Sequence, residues 1–376
     1  MLEKPFKNYY DFDHLRRVLL RETTEGPVPI IELLADPEIM SAVTGLEFPA
    51  ERAMEIFYLG PNPTMEQLEL GIQLMDLSLA FSEKVGYDYV TMVPVVPIPR
   101  TEFLLRENPV QDGKLRGWQD EHRGLIMSRS DFEAFPWPSP EDISLVAMDY
   151  AASKMPEGMK VMAVYTGIFE DLKRLMGFEN MALKSIEEPD LCGDILEKLT
   201  ELAEAAVERC AAHPAVGAVF YAEDMGFNRS LMLSPAWMRQ WVIPRLKRIA
   251  DACHRHDKPF LLHSCGQIDA LMEDLIHMVG IDARHSFQDN IEPVEQVYRK
   301  YHDRIAILGG LDVDLLARGT PQEVRRRTRQ ILEVCAPGGG FCMGSGNSLT
   351  NYIKIENYYA MLDETRKWNE EHYGTC

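Results

Sequence analysis

From about residue 85 to its end, the chain alternates short apolar runs with longer amphipathic stretches. Y-D-Y-V-T-M-V-P-V (87–95), K-V-M-A-V-Y (160–165), A-V-G-A-V-F-Y (215–221) and P-F-L-L-H (259–263) predict strands. So do G-I-D-A (280–283), R-I-A-I-L-G-G (304–310) and G-G-F-C-M-G (339–344). These runs are continuous rather than alternating in and out, as in parallel strands covered on both faces. Between them, L-C-G-D-I-L-E-K-L-T-E-L-A-E-A-A-V-E-R-C (191–210) places apolar residues at helical spacing. Ser234-Pro235 and Thr320-Pro321 supply an N-cap residue followed by proline, the opening expected of two further helices. Seven such strands and an expected eighth predict the α/β class, as a single (β/α)8 TIM barrel.

Residues 1–85 read as mostly helical and fall outside the alternation, so they are expected to form an N-terminal helical extension packed on a barrel spanning 86–376. Residues 96–140 are irregular and rich in Pro, Arg and Trp, with R-G-L-I-M-S (123–128) as a candidate short strand. An insertion after the first barrel strand is expected to sit as a lid over the C-terminal mouth, where barrel active sites lie. Its aromatic and methionine residues suit either an apolar pocket or the core.

Composition narrows the function classes. Fifty-nine acidic residues against 39 basic ones give a formal charge of −20, which disfavours nucleic acid or an anionic membrane as partner. The N-terminus lacks the apolar core of a signal peptide, and no apolar run approaches the roughly 18 residues needed to span a bilayer. Seven scattered cysteines do not suggest a disulfide framework, so a cytoplasmic location is expected, with thiols free to bind metal. No nucleotide-binding fingerprint stands out.

The segment L-L-H-S-C-G-Q-I (261–268) ends an apolar run with His263 and Cys265 two apart. If strand geometry persists, both point the same way at the C-terminal end of the strand. Cys342, near the end of a later strand, is a third soft ligand, and one imidazole with two thiolates suits a zinc with an open position. Spacing alone leaves the other reading standing, in which buried cysteine is a small apolar residue. Y-A-E-D (221–224) places Tyr221, Glu223 and Asp224 at the mouth, where a carboxylate serves as acid or base or caps a turn. Glu170 and Asn347 are weaker candidates for substrate contacts. Glu170 also suits the first turn of a helix, and Asn347 the closing of a turn.

H-S-C-G-Q-I-D-A-L-M-E-D-L (263–275), I-L-G-G-L-D-V-D-L-L (307–316) and G-G-G-F-C-M-G-S-G-N-S-L with I-E-N-Y-Y-A-M-L-D-E near the C-terminus resemble the uroporphyrinogen decarboxylase superfamily. The pattern H-x-C followed by a distant Cys is similar to its zinc-dependent, corrinoid-linked methyltransferase branch. The resemblance implies zinc held by His263, Cys265 and Cys342. His285, with Asp282 close by, is then a possible fourth ligand, a substrate contact or a loop residue. It further implies methyl transfer from an O-methyl substrate, such as a methoxylated aromatic, to a corrinoid cobalt. The alternative is a methylcobalamin:thiol (coenzyme M-type) methyltransferase. No D-x-H-x-x-G cobalamin motif occurs, so the corrinoid is expected on a separate protein. The expected partners are that corrinoid protein and a small methyl donor, with a homodimer as the candidate assembly. A decarboxylase is the weaker alternative, since the R-Q-A-G-R-Y element of true decarboxylases is not found.

Overall fold

A computed structural model describes residues 9–57, 63–99, 104–107, 115–118 and 121–374. Its strands are β1 (Tyr89–Met92), β2 (Leu104–Glu107), β3 (Leu115–Trp118), β4 (Lys160–Thr166), β5 (Val216–Ala222), β6 (Phe260–His263), β7 (Ala283–His285), β8 (Ala306–Leu308) and β9 (Phe341–Cys342). Seven of them form one parallel sheet in the order β1-β4-β5-β6-β7-β8-β9, curled as in a TIM barrel. Helices follow most strands, and their apolar faces cover the outside of the sheet, which explains the uninterrupted apolar runs.

The strands are shorter than the apolar runs, and glycine sets several limits. Gly280, at φ +80°, ends the preceding helical segment, so the predicted strand at 280–283 instead runs from Ala283 to His285. Hydrophobicity missed this strand because it carries Arg284 and His285, two polar residues that the fold buries. Gly309 and Gly310, both at positive φ, stop β8. The candidate strand at 123–128 does not form; Ile126 makes a single backbone bond, donating to the Leu175 carbonyl.

An eighth regular strand is likewise absent from the described sheet. The N-terminal segment 29–35 lies between β9 and β1 instead. Met343 donates to the Pro29 carbonyl and Ile31 donates back to the Met343 carbonyl, both at 2.8 Å. On its other side, the Tyr89 hydroxyl of β1 accepts from the Glu32 N–H at 2.6 Å and donates to the Glu32 carbonyl at 2.8 Å. The first 85 residues therefore contribute helices at Phe12–Leu19, Pro37–Thr44 and Met65–Val85, together with this barrel-closing stretch. The long helix opens on a capping box at Thr64 and Gln67 and closes on Gly86.

The insertion departs just after β1 and is rejoined by an antiparallel bridge between Val95 and Ser144. It contains the β2–β3 hairpin. Phe132, Phe135 and Trp137 pack against the main core, which is the core role among the two foreseen for its aromatics.

Candidate metal centre at the barrel mouth

Strands β5, β6 and β7 finish on one register row, with Ala222 beside His263 and His263 beside His285. Residues in a row share a face of the sheet. The two imidazoles therefore project together, and their Nδ1 atoms meet at 2.8 Å. The loop after β5 brings Asp224, and the loop after β6 brings Cys265.

Backbone contacts bind these two loops to each other. Asp224 Oδ1 accepts the Cys265 N–H at 2.8 Å, and the Phe227 carbonyl accepts the Gln267 N–H at 2.7 Å. Met225 donates to Ser264 Oγ at 3.2 Å. Glycine permits the approach: Gly266 sits at φ +78°, and a Cβ there would lie 2.3 Å from the Gly226 carbonyl oxygen.

Around His263 Nε2 stand Cys265 Sγ at 3.4 Å and Asp224 Oδ1 at 3.5 Å. The ligand atoms of these three residues all lie within 4.8 Å of one another. Zinc bonds of about 2.0–2.3 Å at tetrahedral angles place ligand atoms roughly 3.3–3.7 Å apart, so both contacts to Nε2 fit a shared ion.

The protons support the same reading. A carbonyl oxygen only accepts, so the 3.3 Å contact from His285 Nε2 to the Ser345 carbonyl puts the His285 proton on Nε2. Burial, aided by His263, holds His285 well below the ordinary imidazole range, so the ring is neutral and its Nδ1 is bare. That bare nitrogen accepts from His263 Nδ1. Burial also lowers His263, against the opposing pull of Asp224. The lone pair of its Nε2 is thereby aimed at a carboxylate and a sulfur. Ligating histidines are commonly oriented this way, by a partner on the second ring nitrogen.

Burial opposes ionisation of Asp224, but His263, the Cys265 N–H and Lys173 outweigh it and hold the carboxyl below its usual range. Burial, reinforced by Asp224, pushes the Cys265 thiol up to about 12. Its sulfur accepts from Asn347 Nδ2 at 3.2 Å and from Ser286 Oγ at 3.6 Å. Ser286 is held at φ +91°, a strained conformation for a residue with a Cβ.

The cluster differs from the expected ligand set. Cys342 is fully buried and lies in the same inward row, but three strand intervals separate it from His263. Among the described residues, the ligand atoms that lie within 4.8 Å of one another are those of Asp224, His263 and Cys265, and Cys342 is not in that group. His285 supports His263 from behind. Asp282 is turned elsewhere, accepting from the Phe260 N–H and from His254.

Tyr221 and Glu223 are occupied in holding the fold. The Tyr221 hydroxyl accepts the Ile168 N–H at 3.0 Å. The Glu223 carboxyl group, pushed up to about 8 by burial, accepts from the Phe169 and Glu170 N–H groups at 3.2 and 2.9 Å, satisfying the first turn of the helix Ile168–Met176. Gly167 leaves room for that group, since a Cβ would come within 2.3 Å of it. Glu170 pairs with Lys173, which also donates to the Asp224 carbonyl at 3.1 Å. Asn347 does reach the cluster, through its contact with the Cys265 sulfur. Ser286, Ser345 and Glu32 carried no local signal in the sequence, being small or acidic residues in unremarkable contexts.

A cavity of about 810 Å³ opens beside the two loops, lined in part by Met232, Trp237, Gln267 and Asp269. None of the cluster residues lines it. Among the described residues, no helix is long and apolar enough to cross a membrane.

Comparison with known proteins agrees with the barrel. A curated relative, the methylated-thiol–coenzyme M methyltransferase of Methanosarcina mazei, is 27% identical over 223 residues, covering 58% of this chain. The match spans 56% of that relative, just over half its length. A solved structure described as a methyltransferase from Methanosarcina mazei shares the fold at a TM-score of 0.64 and 17% identity, over 97% of this chain and 99% of that one. The uroporphyrinogen decarboxylase (URO-D) family profile matches residues 122–368, which take in β4 to β9 and every residue of the Asp224, His263 and Cys265 cluster. This chain belongs to the uroporphyrinogen decarboxylase family.

Proposed function

We propose that this protein is a zinc-dependent methyltransferase that moves a methyl group from an O-methyl substrate, a methoxylated aromatic in the first instance, to the cobalt of a corrinoid on a separate protein. The observation that carries the reading is the convergence of His263 Nε2, Cys265 Sγ and Asp224 Oδ1 at the mouth of a barrel of this family. His263, Cys265 and Asp224 would hold the metal, and three protein ligands leave a position for substrate. Zinc bound there supplies Lewis acidity toward the heteroatom that carries the methyl group.

The chain's own residues do the rest. Asp224 and the Cys265 thiolate balance the charge of a divalent ion, and His285 keeps the His263 ring in its ligating tautomer. Asn347 and Ser286 direct hydrogen bonds at the sulfur and temper its charge. Tyr221 and Glu223 hold the neighbouring helix N-terminus rather than the substrate. The insertion 96–140 is the proposed lid that excludes water, and residues 1–85 are the proposed extension on the 86–376 barrel.

Zinc affinity should depend on pH through one group. Asp224 is already ionised and His263 already neutral in the metal-free protein, whereas Cys265, near 12, must lose a proton. Affinity is therefore expected to rise about tenfold per pH unit from about pH 7 to 9, with one proton released per zinc. Chelator competition at several pH values measures this, and a flat profile would remove Cys265 from the ligand set.

The name of the curated relative favours a second reading, transfer between a methylated thiol and the corrinoid. The zinc-loaded protein is to be incubated anaerobically with cob(I)alamin and methoxylated aromatics, and with methylcobalamin and thiols. Methylcobalamin formed from the ether is the expected result. Thiol methylation alone selects the second reading. Coproporphyrinogen formed from uroporphyrinogen, without methyl transfer, overturns both.

A further inference from the structure

We propose that Glu32, in its neutral acid form, is a positioning residue that fixes the Ser345 turn and through it both His263 and Cys265. It rests on the metal reading above only for its zinc measurement. Glu32 lies in the segment that closes the barrel between β9 and β1, outside the span matched by the family profile. It is only 3% exposed, and its backbone is gripped on both sides of the residue by the Tyr89 hydroxyl.

The side chain makes two contacts with one residue. Glu32 Oε1 accepts the Ser345 N–H at 2.8 Å, and Oε2 makes a short contact with Ser345 Oγ. Ser345 Oγ makes a second short contact, with the Asn347 carbonyl. The proton count then decides the form of the acid. The Asn347 carbonyl only accepts, so the single hydroxyl proton of Ser345 goes there. The contact between Ser345 Oγ and Glu32 Oε2 is left needing a proton, which the carboxyl must supply. Burial acts in the same direction and outweighs the two Ser345 hydrogen bonds, pushing Glu32 up to about 8.

Two arms lead from this turn to the candidate ligands. The Ser345 carbonyl accepts from His285 Nε2, and His285 Nδ1 accepts from His263. Asn347, whose carbonyl is held by Ser345, donates from Nδ2 to the Cys265 sulfur at 3.2 Å. One buried acid from the N-terminal segment thus sets the tautomer of one ligand and the hydrogen bonding of another.

Glu32→Gln, Glu32→Leu and Ser345→Ala separate positioning from mere packing. A carboxamide reproduces the neutral acid, since its oxygen accepts from Ser345 N–H and its nitrogen donates to Ser345 Oγ. Zinc affinity of the full-length protein is read by chelator competition. Histidine tautomers in the zinc-free protein are read by nitrogen NMR with labelled histidine. Glu32→Gln is expected to stay within about twofold of the parent and keep the His263 proton on Nδ1. Glu32→Leu and Ser345→Ala are expected to bind zinc about 10–100-fold more weakly and to mix the two tautomers. The proposal is overturned if Glu32→Gln behaves like Glu32→Leu, or if Glu32→Leu keeps the parental tautomer and affinity. Should Glu32→Leu lose its cooperative melt, Ser345→Ala decides by the same criteria. A parent that takes up no zinc refutes the proposed function, while the tautomer measurement still decides on Glu32.

Discussion

A His263→Ala protein, purified without chelator, is expected to carry almost no zinc, whereas a Cys342→Ala protein keeps the parental amount. His263 Nε2 is the point on which the cluster converges, 3.4 Å from Cys265 Sγ and 3.5 Å from Asp224 Oδ1. Structural zinc sites contribute about 10–16 kcal/mol, so one ligand of such a set carries roughly 3 kcal/mol, or at least a hundredfold in affinity. Removal also leaves His285 Nδ1 without its donor. Cys342 is different, because it is fully buried in the β9 row and lies outside the cluster. Its truncation costs about 1 kcal/mol of packing and no metal. Metal analysis of the two variants beside Asp224→Asn decides which set is real. If Cys342→Ala empties the site and Asp224→Asn does not, the ligands are those the sequence pattern implied and not those the structure gathers.

Gly266→Ala should damage both stability and the site. At φ +78° an L side chain costs about 1–3 kcal/mol in strain. The added Cβ would also stand 2.3 Å from the Gly226 carbonyl oxygen, a backbone atom that cannot swing aside. Relief requires the loops after β5 and β6 to part, which breaks the bond from the Cys265 N–H to Asp224 and separates two ligands. A loss of about 2–4 kcal/mol in urea denaturation is expected, with zinc affinity at least tenfold lower. Gly45→Ala is the control, since that glycine has a similar φ of +80° but nothing within 4 Å of the added carbon. It should lose about 1 kcal/mol and no affinity. Equal effects from the two substitutions would show that strain alone, and not the contact between loops, governs the result.

Much of this molecule is legible in its sequence. The apolar runs that predict β4, β5 and β6 end within a residue of the observed strands, because strands covered on both faces leave no alternation to misread. His263 and Cys265 are visible as a pair, since strand periodicity and chain position are local properties. The barrel's closure was hidden. Residues 29–35 make only isolated bridges, and what joins Glu32 to Tyr89 is a hydroxyl on a distant strand. The strand at 283–285 was displaced because Arg284 and His285 look solvent-seeking until pairing buries them.

The assembly of the site belongs to the tertiary structure. Sequence singled out Asp224 but gave it acid or base work, and it paired Cys342 with His263 on ligand type, strand-end position and family resemblance. Spatial partnership depends on how many strand intervals lie between two residues and on which loops touch, and neither is encoded at any local spacing. The sequence by itself determined the fold class, the family resemblance and the chemical types at the barrel mouth, because these follow from periodicity and short motifs. Only the folded barrel gathers Asp224 with His263 and Cys265 and sets His285 behind them. Register and loop contact are long-range properties, set when the whole sheet closes.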